Sequence, residues 1–152
     1  MGFLDGLNIS GSALTAQRLR MDVVSSNLAN ADTTRAQMVN GKWVPYQRKM
    51  VTFSPINGSF SGYLSNAIGS TSDQKVGEGV QVSGIVNDPT PFKMSYDPTN
   101  PDADANGYVQ LPNVDPLKEM VDLMGAQRSY EANVTVMNAQ KSMLLKALEI
   151  GK

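Results

Sequence analysis

With 152 residues the chain suffices for one ordinary domain, and at 41% hydrophobic residues it is slightly lean for a globular core. Its formal net charge of −1 and pI of about 5.3 leave no basic footprint for nucleic acid. The lack of His and Cys excludes Ser-His-Asp and Cys-His catalysis, zinc and haem sites and disulfides, so no catalytic residue, metal or cofactor is expected.

No apolar run approaches the ~20 residues that span a bilayer. The first basic residue, Arg18, lies well past the charged region of a secretory signal. The protein is therefore expected to stay in the cytoplasm or to leave the cell uncleaved by another route.

The first predicted element is a helix over residues 4–30. Leu7, Leu14, Met21 and Leu28 recur every seven residues, with Phe3 and Val24 at the alternate seam positions. A second apolar face, Ile9, Ala13, Ala16, Leu19 and Val23, lies roughly 180° away. One partner cannot cover both faces.

That helix ends in "SSNLANADT", with Asn27 and Asn30 on one face of the last turn. Asn costs a helix roughly 0.6 kcal/mol relative to Ala, so two together require a reason. Asn30 fits a plain helix terminator through a left-handed backbone. Asn27, one turn earlier, fits a buried polar residue that fixes register, and the amides of Asn27 and Asn30 are then expected to bond backbone where a neighbouring chain crosses the helix end.

The middle segment changes character. Trp43, Val44, Tyr46, Met50, Val51 and Phe53 suggest one strand or hairpin arm, with Pro45 marking an edge, and "GVQVSGIV" at 79–86 alternates as another strand. Between them, residues 54–79 are rich in Ser and Gly and read as a mobile loop. "DADANG" at 102–107 matches the opening of a calcium loop through Asp102, Asp104 and Asn106. The match fails at its twelfth position, where Asn113 replaces the bidentate Glu, and a loop built by Asx turns explains the same letters.

The last element is a helix over 116–149, with Asp115 as N-cap and Pro116 in the first helical position. Glu119 and Asp122 near its start and Lys141 and Lys146 near its end suit the helix dipole. Leu123, Tyr130, Met137 and Leu144 repeat every seven residues, joined by Met120, Val134 and Leu148. A second, mostly small stripe holds Val121, Gly125, Ala132, Val136, Ala139, Met143 and Ile150. Arg128 and Glu131, three apart, read as a surface ion pair or as a pair sequestered between packed helices; neither makes an enzyme.

The expected fold class is α+β: an N-terminal helical segment (1–36), a β-rich and loop insert (37–112) and a C-terminal helical segment (113–152). If the helices pair only with each other, one apolar stripe on each stays uncovered, and apolar surface of that extent marks an interface.

"SSNLANADTTRA" resembles the signature of the bacterial flagellar rod and hook axial proteins, in which a helix ends in Asn-x-Ala-Asn before a Thr-containing turn. The general signature continues with Gly-Tyr; Thr34-Arg35-Ala36 stands here and is similar to the variant of a proximal-rod member. "GIVNDPTPFKMSYDPTNPDADANGYVQLPNV" and "EMVDLMGAQRSYEANVTVMNAQKSMLLKALEIG" extend the resemblance over most of the chain.

The resemblance implies a non-catalytic building block of the proximal rod, the shaft that carries torque from motor to hook. It implies that the terminal helices form an antiparallel coiled-coil-like pair and polymerise helically around an export channel. The implied partners are further copies and neighbouring rod proteins of the FliE, FlgB, FlgF and FlgG types, with the flagellar type III export apparatus engaged during secretion. The implied location is the basal-body rod, periplasmic in a Gram-negative host, reached without a cleaved signal. Interface residues are then expected on both stripes, among them Val136 and Met143. Alternatives are a sister rod protein and, more distantly, a calcium-responsive module.

Overall fold

The computed structural model describes residues 3–56 and 79–150. Most of the Ser/Gly-rich stretch, at 57–78, lies outside the described residues, as do the side chains of Phe3 and Ile150 assigned to the helical stripes.

Two long helices bracket three small two-stranded sheets. Helix α1 is Phe3–Ala29 and helix α2 is Pro116–Ile150, both within one residue of the bounds read from periodicity. Asp115 caps α2: its Oδ1 accepts the Leu117 N–H at 3.1 Å, satisfying one of the free donors of the first turn. The last turn of α2 carries no basic residue, so the dipole match expected from Lys141 and Lys146 stops short of the helix end.

Asn30 ends α1 by a route other than the expected left-handed backbone. Asn40 is the only non-glycine with positive φ among the described residues. The Asn30 side chain instead folds back, its Nδ2 donating to the Ser26 carbonyl at 2.9 Å while its Oδ1 accepts from Thr33 Oγ1 at 3.3 Å. The Ser26 carbonyl, which also accepts the Asn30 N–H at 3.2 Å, thus receives backbone and side chain of the same residue.

The insert holds strands β1 (Gln37–Val39), β2 (Lys42–Val44), β3 (Lys49–Pro55), β4 (Val80–Asn87), β5 (Lys93–Tyr96) and β6 (Tyr108–Leu111). β1 and β2 form an antiparallel hairpin across Asn40-Gly41, with φ of 52° and 78°. Both values lie in the left-handed region that a type I′ turn demands. β5 and β6 form a second antiparallel hairpin, with Tyr96 opposite Tyr108, and β3 pairs with β4.

The single strand expected over 43–53 is therefore two strands of different sheets. Pro45 has no N–H for a ladder, and the next amides are diverted: Tyr46 N–H goes to the Thr33 carbonyl and Arg48 N–H to Asn113 Oδ1. The loop between β5 and β6 is built by Asx turns, with Asp97 accepting from Thr99 and Asn100 from the Asp102 N–H. Gly107 closes it at φ +81°, where a Cβ would meet the Tyr96 ring at 3.0 Å.

The chain divides into two compact units, each drawing on its beginning, middle and end. The first comprises the described residues of Met1–Leu19, Thr52–Gly84 and Gln127–Lys152, and of these only Ser10 and Ala16 are fully buried. The second comprises Arg20–Val51 and Ile85–Ala126 and contains the core: Val23, Val24, Tyr46, Val109, Val114 and Ala126, with buried Asn27, Asn113 and Glu119.

Candidate functional site

The second unit is organised around a buried polar junction. Asn27, in the last turn of α1, is fully buried and uses every hydrogen-bonding position of its amide. Nδ2 donates to the Lys49 carbonyl at 2.8 Å and to Glu119 Oε2 at 2.9 Å. Oδ1 accepts from the Lys49 N–H at 2.9 Å and the Tyr46 hydroxyl at 3.0 Å. The side chain thus copies a strand partner and holds the first residue of β3 by both of its backbone groups.

Asn113 holds the residue before Lys49 by the N–H alone. Its Oδ1 accepts the Arg48 N–H at 2.7 Å, and its Nδ2 donates to the carbonyls of Thr90 at 3.0 Å and Asp88 at 3.3 Å. Two asparagines far apart in sequence therefore hold consecutive residues of one strand entrance. Buried backbone groups with no ladder partner require such substitutes.

Charge completes the junction. The Arg48 guanidinium donates to Glu119 Oε1 at 2.6 Å, Asp88 Oδ2 at 3.2 Å and Asp122 Oδ2 at 3.4 Å, and Asp122 also accepts from Arg20 at 3.2 Å. Burial opposes the charge on Arg48, but its hydrogen bond and attraction to Glu119, then to Asp88, outweigh burial and hold its pKa above the ordinary value. The Asp88 carboxyl is held below the usual range, first by the Thr90 hydroxyl and N–H and then by Arg48. Within this unit the pairs Arg20–Asp122 and Asn27–Glu119 set the two helices running in opposite directions.

Asn27 is consumed by its own chain. The backbone its amide meets is Lys49 of the same subunit, in place of the expected neighbouring chain. Asn30 lies half-buried at the helix exit and does not enter the network.

The stripes separate by exposure on α2 and not on α1, whose second face holds buried Ala16 and Val23 beside half-buried Ile9, Ala13 and Leu19. Leu7, Leu14, Met21 and Leu28 on α1 and Leu123, Tyr130, Met137 and Leu144 on α2 are all half-buried. On the opposite stripe of α2, Val121, Val136 and Met143 are 58%, 46% and 55% exposed, and Gly125, Ala132 and Ala139 are exposed too. Met120 and Leu148, expected in the half-buried seam, are exposed instead.

The buried position at the start of that seam belongs to Glu119, read from sequence only as a dipole match. It lies four residues before Leu123, on the Leu123–Leu144 face, and a carboxylate there was the available signal. Its partners Asn27 and Arg48 are 92 and 71 residues away, beyond the reach of any local pattern. The expected Arg128–Glu131 pair does not form. Both side chains are exposed, and Glu131 accepts from Gln127 one turn earlier, the better-aligned i, i+4 geometry.

The arrangement joins a helix end, a strand entrance and a helix start, leaving polar groups saturated and an apolar helix face open. Residues 7–37 match the family described as "Flagella basal body rod protein", and residues 105–150 match "Flagellar basal body rod FlgEFG protein C-terminal". The flagellar basal-body rod protein FlgC of Bacillus subtilis (strain 168) is 64% identical over 146 residues, covering 96% of each chain. The chain belongs to the FlgC family of flagellar basal-body rod proteins.

Other members are more distant but align over nearly their full length. FlgC of Borreliella burgdorferi is 43% identical over 155 residues, covering 99% of this chain and 98% of its own. FlgC of Salmonella typhimurium (strain LT2) is 43% identical over 152 residues, covering all of both. The buried junction contains Asn27, inside the first family match, and Asn113, Glu119 and Asp122, inside the second. Arg48 and Asp88 fall between them. The FlgC relatives and both matched families are described as flagellar basal-body rod proteins. No helix among the described residues is long and apolar enough to cross a membrane.

Proposed function

We propose that this structural subunit of the flagellar basal-body rod polymerises helically through its terminal helices. One stripe of each helix faces its own subunit in an antiparallel coiled-coil-like pair, and the other meets neighbouring subunits. In this reading the chain forms part of a torque-transmitting shaft and of the wall around an export channel. Its neighbours are copies of itself and rod proteins of the FliE, FlgB, FlgF and FlgG types. It reaches the proximal rod through the flagellar type III export apparatus without a cleaved signal. Leu7, Leu14, Met21 and Leu28 serve the pair with Leu123, Tyr130, Met137 and Leu144, while Val136 and Met143 serve the neighbour contact.

The observation that carries this reading is the division of α2 into a half-buried stripe and an exposed one of small and apolar residues. Small residues allow close approach of backbones, and a contiguous exposed apolar stripe on a helix marks an interaction surface.

Val136→Arg tests it. In the free chain the arginine is hydrated and shifts stability by less than about 0.5 kcal/mol. At a close contact between subunits it buries an unpaired guanidinium at a cost of several kcal/mol, repeated in each subunit. The variant is expected to be exported normally, to stop rod growth and to abolish swimming. Wild-type motility with the variant present in purified basal bodies would overturn the assignment of faces.

A further inference from the structure

Asp102, at the tip of the loop joining β5 and β6, has both carboxylate oxygens occupied by the segment that leaves α1. Oδ1 accepts from Arg35 through Nε at 2.6 Å and through Nη2, and Oδ2 accepts from the Thr34 hydroxyl at 2.8 Å. The Arg35 hydrogen bond, then that of Thr34, holds the Asp102 carboxyl below the usual range. A carboxylate engaged by an arginine fork and a hydroxyl is geometrically defined, unlike a lone surface pair.

Each side of this contact is built into a hairpin. Arg35 is followed by Ala36, whose N–H donates to the Val44 carbonyl at 3.0 Å and closes the base of β1–β2. Asp102 sits in a loop knotted by its own backbone: Ala103 N–H to Asn100, Gly107 N–H to Asp104, and Asp97 N–H to the Gly107 carbonyl. The ladder of β5–β6 is held separately, at its base by Lys93 Nζ on the Val114 carbonyl at 3.0 Å and towards the loop by buried Val109 opposite Ser95.

We propose that Asp102 is a latch that locks the two hairpins to each other, so that their outer faces form one surface of fixed shape. Those faces carry Met38 opposite Trp43 on β1–β2 and the edge-to-face pair Tyr96–Tyr108 on β5–β6, all exposed. Without the latch, β5–β6 stays attached through Lys93 and Val109 and the loop beyond Tyr96 and Tyr108 swings free. The latch acts within one subunit and does not depend on how subunits pack.

The test is hydrogen exchange of the full chain, read at the amides of 37–44, 93–97 and 107–111. Asp102→Ala and Arg35→Ala are each expected to speed exchange there about fivefold, the opening expected when one well-oriented surface clamp is lost. The double variant is expected to exchange no faster than Asp102→Ala, which already removes the Arg35 contact together with that of Thr34. Asp104→Ala, which deletes an exposed carboxylate two residues away, controls for charge and is expected to leave exchange unchanged. Asp102→Ala exchanging no faster than Asp104→Ala, or effects of Asp102→Ala and Arg35→Ala that simply add, would overturn the latch.

Discussion

The two compact units of this subunit have been finished to different degrees. The unit of Arg20–Val51 and Ile85–Ala126 closes on itself: its buried amides, carboxylates and guanidinium satisfy one another, and it holds most of the fully buried side chains. In the other unit, among the described residues, only Ser10 and Ala16 are fully buried, while Val136, Met143, Leu145 and Leu148 lie open. The same two helices run through both. Sequence alone would treat each helix as one object, yet one end is tied down by directional polar bonds and the other has few fully buried side chains among the described residues, while exposed apolar residues occur along both.

The comparison breaks most visibly at Glu119. Glu119→Ala leaves the Arg48 guanidinium and the Asn27 amide without their buried partner and is expected to destabilise the chain by about 3–5 kcal/mol in chemical denaturation. Asn27→Ala, which frees Lys49 N–H and C=O together, is expected to cost about 2–3 kcal/mol, and the double variant less than the sum. Losses below about 1 kcal/mol for both would mean the polar junction does not hold the unit.

Acid sharpens the contrast at intermediate size. Asp88 is held below its ordinary range in the folded chain, so its contribution is present above that range and is lost as pH falls through the folded value. Arg48 is held above its ordinary value and stays charged throughout, so it adds nothing to the acid limb. The denaturation midpoint is expected to be level near neutrality and to drop below about pH 4, with a shallower drop in Asp88→Asn. A drop that begins near pH 6 would require a different group.

The smallest effect is expected at the exposed pair. Arg128→Ala should change stability by less than about 0.5 kcal/mol, since its side chain lies in solvent and Glu131 is engaged by Gln127. A larger loss in the free chain, seen in the same denaturation assay, would return Arg128 to a packed interface within the subunit.

What was legible in the sequence follows the range of the forces. The helices were readable because their periodicity repeats over 27 and 35 residues, and the cap at Asp115 because its donor is two residues away. The β1–β2 hairpin was also within reach, since Asn40-Gly41 is a strong turn signal, but β1 and β2 span only three residues each and were merged with β3 or missed. The β5–β6 hairpin was hidden by its eleven-residue loop, whose Pro and Asp content resembles unstructured chain.

The candidate site was half visible. Asn27 stood out because an amide inside a helix turn needs a reason, and its burial supplies one. Its partners Tyr46, Lys49 and Glu119 could not be read, because they converge only through tertiary packing. The expectation that another subunit's backbone meets Asn27 was overtaken by Lys49 of the same chain, reached after the Pro45 break. Met120 and Glu119 exchanged places in the seam because one residue of phase error on a helix is 100°, enough to turn a buried position outward.

The most direct measurement of this asymmetry is hydrogen exchange on the full chain, as a dilute monomer and again within purified basal bodies. In the monomer, amides of residues 20–29 and 116–126 are expected to be strongly protected, and those of residues 8–19 and 127–149 to exchange quickly. In the basal body the latter are expected to gain protection, because long helices take most of their stability from packing. Strong protection of residues 8–19 and 127–149 in the dilute monomer, unchanged on assembly, would contradict the account.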